Sequence, residues 1–245
     1  MPKPKPMTAF RDNMSDAHAL VRLARATTTK RTYRMRRELR GRVGGALRLA
    51  QGVHDQLDCV ESDDLFIVIL PSSSLKRGDF EKREPLLRQA LVAGCAAVET
   101  FLADSVTAKC RSLTGGPLPS RLGSVPMTVA QWRQVNGSKY PRRAITDKVL
   151  APHVAEAAST APSRVGELLS VAGVERPMRA LDNARGVAKG TTESDLDRIT
   201  KRRNRIAHQG DRDGRSRAAI TEAEVEDDLT TLTAIVEAIE QVLAA

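Results

Sequence analysis

The residues best equipped for chemistry sit in one stretch, KRRNRIAHQGD, from Lys201 to Asp211. Arg203, Asn204 and His208 fall near the end of a predicted helix. Asn204 and His208, four apart, occupy neighbouring turns of one face. Arg203 comes seven residues after Leu196 and leans inward, where a guanidinium is costly unless paired. Upstream, Glu99 lies in the most apolar helical stretch of the chain, beside Val98 and one turn from Cys95, and a buried acid there also needs a partner. Arginine, amide, imidazole and carboxylate meeting at the edge of a helical bundle form a phosphate clamp beside a general acid–base group.

Other site chemistries find no support. No GxxxxGK[ST] or GxGxxG loop is present to cradle a nucleotide, and neither GxSxG nor HExxH occurs. The four histidines, His18, His54, His153 and His208, are scattered without metal-ligand spacing to one another or to a cysteine. No metal or other cofactor is therefore expected. Trp132 and Tyr140, with Arg133, Arg142 and Arg143, form a second grouping that either stacks and clamps nucleic acid or anchors a loop.

Elements must exist to position these groups. Of 245 residues, 41% are hydrophobic, 28% charged and only 3% aromatic, so the core must come from Leu, Val, Ile and Ala. That composition argues for an all-α protein over an aromatic-rich β fold. The strongest helix runs from Pro85 to Cys110, with a broad apolar face from Leu86 to Val106. Two helices follow the middle of the chain. Ser194 and Asp197 read as a capping box for a helix closed by Gly210. Thr221 and Glu224 read as another, for a long amphipathic final helix. A further helix is predicted from about Tyr33 to Val60, weakened by Gly41, Gly44 and Gly45. The run LFIVIL reads as an extended segment.

Residues 113–193 break into short pieces, one of them a short helix from Arg164 to Val171, and read as a helical insertion. Residues 1–30 read as a basic arm, with alternating Pro and Lys at its start and a weak helical stretch from Ser15 to Ala26, leaving 31–245 as the helical domain. The expected architecture is a four-helix bundle with the insertion between its second and third helices.

Charge is unevenly spread. Residues 1–48 hold thirteen Lys or Arg against three acids, whereas the remainder is close to neutral. Such asymmetry points to a polyanion, although no helix-turn-helix accompanies it to favour a DNA-binding regulator. The longest purely apolar run is six residues, so no membrane span is expected. Three cysteines without a CxxC fit a reducing, cytoplasmic setting.

With these motifs in place, the chain resembles the HEPN superfamily, whose signature is an Arg, a polar residue and, a few positions on, a His on the third helix of a four-helix bundle. It looks most like the RiboL-PSP branch, which contains many toxin and defence ribonucleases. The resemblance rests on ALVAGCAAVETFLADSV around Glu99, on RITKRRNRIAHQGDRD with the ITEAEVEDDLTTLTAIVEAIE helix, and on APSRVGELLSVAGV.

It implies a metal-independent endoribonuclease in which the RNA's own 2′-hydroxyl attacks, leaving 2′,3′-cyclic phosphate and 5′-hydroxyl ends. His208 would be general base or acid, Arg203 would stabilise the transition-state charge, Asn204 would orient the His or the scissile phosphate, and Glu99 would hold Arg203. Lys201, Arg202, Arg205 and Arg212 would grip flanking phosphates. The family also implies a homodimer with a composite site, a tRNA or mRNA substrate, and an antitoxin or sensor protein as partner. The contrasting possibility is a silent HEPN module that binds RNA or a partner protein.

Overall fold

The computed structural model describes residues 5–28, 32–34, 37–46, 48, 50, 59–61, 82–113, 120–214 and 216–245. They are predominantly helical and divide into two units, one of Met1–Arg22 with Glu84–Ala245, the other of Leu23–Arg83. Among the described residues the fold is all-α in character, with only short two-stranded ladders.

The first unit is organised around helix α3 (Glu84–Leu113), which carries Pro85 in its first turn. Leu87, Ala90, Leu91, Cys95, Val98, Phe101, Leu102 and Val106 of this helix are all buried. Each large apolar side chain so placed contributes about 1.5–3 kcal/mol relative to exposure. By length and mean hydropathy (1.4) α3 could cross a membrane, yet its apolar residues serve as the core of this unit.

Its principal neighbour is the last helix, α11 (Glu222–Ala244), which buries Val225, Leu229, Leu232, Ile235, Val236 and Ile239. The two approach so closely at Gly94 that a β-carbon there would clash with Leu229 Cδ2. Helix α11 starts at the predicted box. Thr221 Oγ1 accepts from the Glu224 N–H, and the Glu224 carboxylate accepts from the Thr221 N–H.

Within the expected arm of residues 1–30, the described residues 6–28 form a helix that joins the core. Helix α1 spans Pro6–Thr28 and, within the first unit, buries Phe10, Met14, Ala17 and Val21. Phe10 meets Phe101 of α3 edge-on, with ring centroids 5.8 Å apart. Arg11 and Arg22 face solvent. Part of the basic segment is thus a core helix, whose solvent face mixes Arg11 and Arg22 with Asp12 and Asp16. Its apolar stripe is narrow and built partly from alanine, which conceals it in a hydropathy reading.

The middle of the chain also joins the core. Helices α4 (Ser120–Gly123), α5 (Val129–Asn136), α6 (Pro141–Ile145), α7 (Ala151–Ala157), α8 (Pro162–Val171) and α9 (Pro177–Arg185) lie here, with a π-helical turn, Thr146–Leu150, joining α6 to α7. Val154, Val165, Leu168, Leu169 and Leu181 are completely buried. Helices α7 and α8 pack on α3, and α9 packs on α11. The segment read as an insertion therefore supplies part of the same core.

In the second unit, the helix expected over residues 33–60 is shorter. Helix α2 covers Arg37–Ala46, while Tyr33 and Val60 face each other in an antiparallel ladder of β1 (Thr32–Arg34) with β2 (Cys59–Glu61). Glycines at 44 and 45 and the β-branched and aromatic residues at the two ends favour this outcome. The LFIVIL run lies outside the described residues.

Candidate active site

Helix α10 (Thr191–Gln209) carries the motif, and both of its ends are held from outside. It begins three residues before the Ser194–Asp197 box expected from sequence. Its N-cap is Gly190, left-handed at φ 86°, with no side-chain cap of its own. Asp182 of α9 substitutes, accepting hydrogen bonds from the Gly190 N–H (2.7 Å) and the Thr192 N–H (2.9 Å). Burial pushes the Asp182 carboxyl up, but the bonds from Thr192 and Gly190 and the charge of Arg185 outweigh it and hold it below the usual range. Arg185 then ties Thr192 Oγ1 (2.9 Å) and Asp195 (3.0 Å) to α9.

At the other end, Gly210 closes the helix at φ 60°, and the N–H groups of Gly210 and Asp211 both donate to the Arg205 carbonyl. Asp211 is itself left-handed (φ 58°), a conformation Asp tolerates better than most residues, and it is wholly buried. Its Oδ2 accepts from Arg88 Nε of α3 (2.9 Å) and from an Arg202 terminal nitrogen (2.8 Å). The same two arginines donate to the carbonyls of Ala218 and Ala219. A short ladder of β3 (Arg212–Asp213) with β4 (Ser216–Arg217) fills the turn between these points.

Between those anchors, Arg203 forms an ion pair with Glu99 of α3 and donates to Asn204 Oδ1 at 2.9 Å. The pair sits at the rim, with the Arg203 and Glu99 side chains 20% and 24% exposed. Glu99 is thus less buried than its apolar neighbours led us to expect. Solvent reaches it because it lies on the edge of the α3 face, next to the loop before α8. That loop contributes a residue sequence reasoning missed. The Thr160 N–H donates to Glu99 Oε1 at 3.3 Å, and its buried hydroxyl accepts from Thr200 Oγ1 of α10 at 3.0 Å.

Cys95, one turn before Glu99, is buried. Burial pushes its thiol up to about 12 against the pull of the Arg203 charge, so it remains protonated and is no nucleophile.

His208 is exposed in the last turn of α10, one turn beyond Asn204, and makes no side-chain hydrogen bond among the described residues. The structure brings Arg203, Asn204 and Glu99 into contact and leaves the imidazole facing solvent at the same helix end.

The four flanking cations separate into kinds. Arg202 is committed internally, to Asp211 and the Ala219 carbonyl. Arg205 lines a cavity of about 220 Å³ with Arg198, Arg202, Glu224 and Asp228. Lys201 is exposed and pairs with Asp197 (2.6 Å), while Arg212 is exposed in β3. Asp211, the last residue of the motif segment, anchors its turn. Its only sequence signal is an acid directly after a helix-stopping glycine.

The arrangement can bind a phosphate. An arginine has five N–H donors, and the bonds to Glu99 and Asn204 leave others for an anion at the rim. Among the described residues no group of three His, Cys, Asp or Glu side chains is placed to hold a metal ion. The chain matches no family model, no curated protein and no solved structure.

Proposed function

We propose that the protein is a metal-independent endoribonuclease of HEPN type, working in the cytoplasm as a toxin or antiviral-defence effector. The observation that carries this reading is the Glu99–Arg203–Asn204 cluster at the rim of the helical core, with His208 exposed one turn further along α10. A cation steadied by a carboxylate and open to solvent on one side suits a phosphodiester, and an accessible imidazole suits proton transfer to or from it.

In the reaction, the 2′-hydroxyl oxygen bonds to phosphorus as its proton leaves, and the bond from phosphorus to the 5′-oxygen breaks as that oxygen gains a proton. His208 serves as the base or the acid in this exchange. Arg203 stabilises the charge that builds on the non-bridging oxygens, and Glu99 and Thr160 hold its orientation. DNA lacks the nucleophile and is not cut. By resemblance, two chains pair so that both motifs share one cleft, the substrate is a tRNA or mRNA, and an antitoxin or sensor protein restrains the activity. No cofactor is required.

One observation favours a second reading, a silent module that binds RNA or a partner. Among the described residues nothing orients the His208 imidazole, whereas a working base is commonly held by a third group.

Incubation of total cellular RNA in EDTA with wild type and with His208→Ala separates the two. Fragments bearing cyclic-phosphate ends from wild type alone establish the nuclease. Intact RNA in both lanes, from folded protein, supports the binding module.

A further inference from the structure

A second surface on the same unit has the composition of a nucleic-acid platform. Residues 105–146 contain seven Lys or Arg and no Asp or Glu. Within this stretch lie most of the large apolar side chains exposed on the described residues: Met127 (44%), Val129 (71%), Trp132 (52%) and Tyr140 (62%). Trp132 is the only tryptophan of the chain, and Tyr140 is one of two tyrosines. Both rings keep more than half of their surface exposed, so burial in a core does not account for them.

Trp132 is held on a short but well-specified element, while Tyr140 immediately precedes the five-residue α6. Thr128 and Gln131 form a reciprocal capping box at the start of α5, and Gln131 Nε2 reaches the Lys148 carbonyl at 3.0 Å. Lys139 Nζ lies 5.6 Å from the centroid of the Tyr140 ring. At its base, Asp147 accepts from Arg111 of α3 (2.9 Å) and from Arg143 (3.3 Å), fastening the platform to the helix that carries Glu99. Arg111 lies twelve residues beyond Glu99 on that helix, a rise of about 18 Å.

We infer that the surface formed by Trp132 and Tyr140, with Arg133, Lys139 and Arg142, binds single-stranded RNA, the rings stacking on unpaired bases and the cations meeting the phosphates. Unpaired bases are needed because a ring can stack only on a base freed from a duplex, and stacking tolerates any sequence. A basic patch alone would take any polyanion; exposed aromatics interleaved with it select one that carries planar bases. That the strand is RNA rests on the ribonuclease reading, while the single-strand preference rests on this surface alone.

The lone tryptophan supplies its own probe. The full chain is titrated with a 2′-O-methyl oligouridylate, which has no free 2′-hydroxyl and so cannot be cleaved, while tryptophan fluorescence is followed. The expected result is saturable quenching that weakens with salt, and at least tenfold weaker binding of a duplex of equal length. Tyr140→Ala, which keeps the probe, is expected to weaken binding about tenfold. Arg133→Ala with Arg142→Ala is expected to lower the salt dependence by about two phosphate contacts' worth.

Quenching without any RNA cleavage still supports this inference and counts against the nuclease. Cleavage of cellular RNA without quenching overturns this inference and leaves the nuclease intact. Equal affinity for duplex and single strand overturns it. So does fluorescence that responds to protein concentration instead of oligonucleotide, which would make the surface a contact between copies of this chain.

Discussion

Two adjacent arginines on one helix meet opposite fates. Arg202 turns toward α11 and shares with Arg88 a carboxylate, Asp211, that has no solvent exposure. Arg203 turns toward α3 and pairs with Glu99 at the rim, where both side chains keep a fifth or more of their surface in water. One hundred degrees of helical rotation separates them. The first is a structural cation, sharing with Arg88 a carboxylate that water does not reach. The second meets a carboxylate that is itself partly in water, and the proposed chemistry gives it an external anion to bind. Identical side chains in a run of KRRNR thus do different work; the two are about equally exposed (24% and 20%), and what distinguishes them is the burial of the carboxylate each meets.

The comparison breaks most readily at Asp211. Asp211→Ala leaves Arg88 and Arg202 facing a buried site without a counter-charge, and is expected to cost about 3–5 kcal/mol in stability. Urea denaturation checks this; a loss below about 1 kcal/mol would show that Arg202 is no more structural than its neighbour.

Arg203→Gln is the converse test. Cleavage should fall by about 10²–10³-fold, the scale for losing one group that stabilises transition-state charge. Stability should change by about 1 kcal/mol or less, because the Glu99 pair is partly solvated. A variant that instead unfolds places Arg203 with Arg202.

Asp182→Asn acts at the other end of α10, where the carboxylate replaces a local cap, and is expected to cost about 1 kcal/mol. The sign of its pH dependence follows from its depressed folded-state value. The contribution is complete above the ordinary value of 3.8 and disappears as pH falls through the lower value that the folded protein holds. Thermal melts should therefore separate wild type from Asp182→Asn at neutral pH, with the gap narrowing only as pH falls below 3.8.

The smallest effect belongs to Lys201→Ala. Its pair with Asp197 is exposed on both sides, so stability should move by less than about 0.5 kcal/mol. RNA affinity should fall uniformly across sequences, with a salt slope reduced by about one. Filter binding at several salt concentrations measures it.

Much of this could be read in advance, and the reason is local. The Thr221–Glu224 box, Pro85 at the head of α3 and the Gly210 stop are each written within a turn of chain, so spacing reveals them. The inward lean of Arg203 likewise followed from its distance to Leu196, which is wholly buried. The start of α10 was misjudged because its true cap, Asp182, belongs to another helix eight residues upstream of Gly190. The role of Thr160 was missed for the same reason, since it is 61 residues from the carboxylate it supports.

Residue spacing alone was enough to specify an all-α chain, its central and final helices, and a stretch in which arginine, amide and imidazole share one helix end. It could not say which arginine would meet a sealed carboxylate and which a solvated one, or that residues 6–22 and 120–190 contribute to the core. Those outcomes depend on which faces meet in space. Helical periodicity records that a face is apolar or charged, whereas the free energy of a charge depends on the water and counter-charges around it. For this protein that difference separates Arg202, a clamp on the fold, from Arg203, the group on which the proposed chemistry rests.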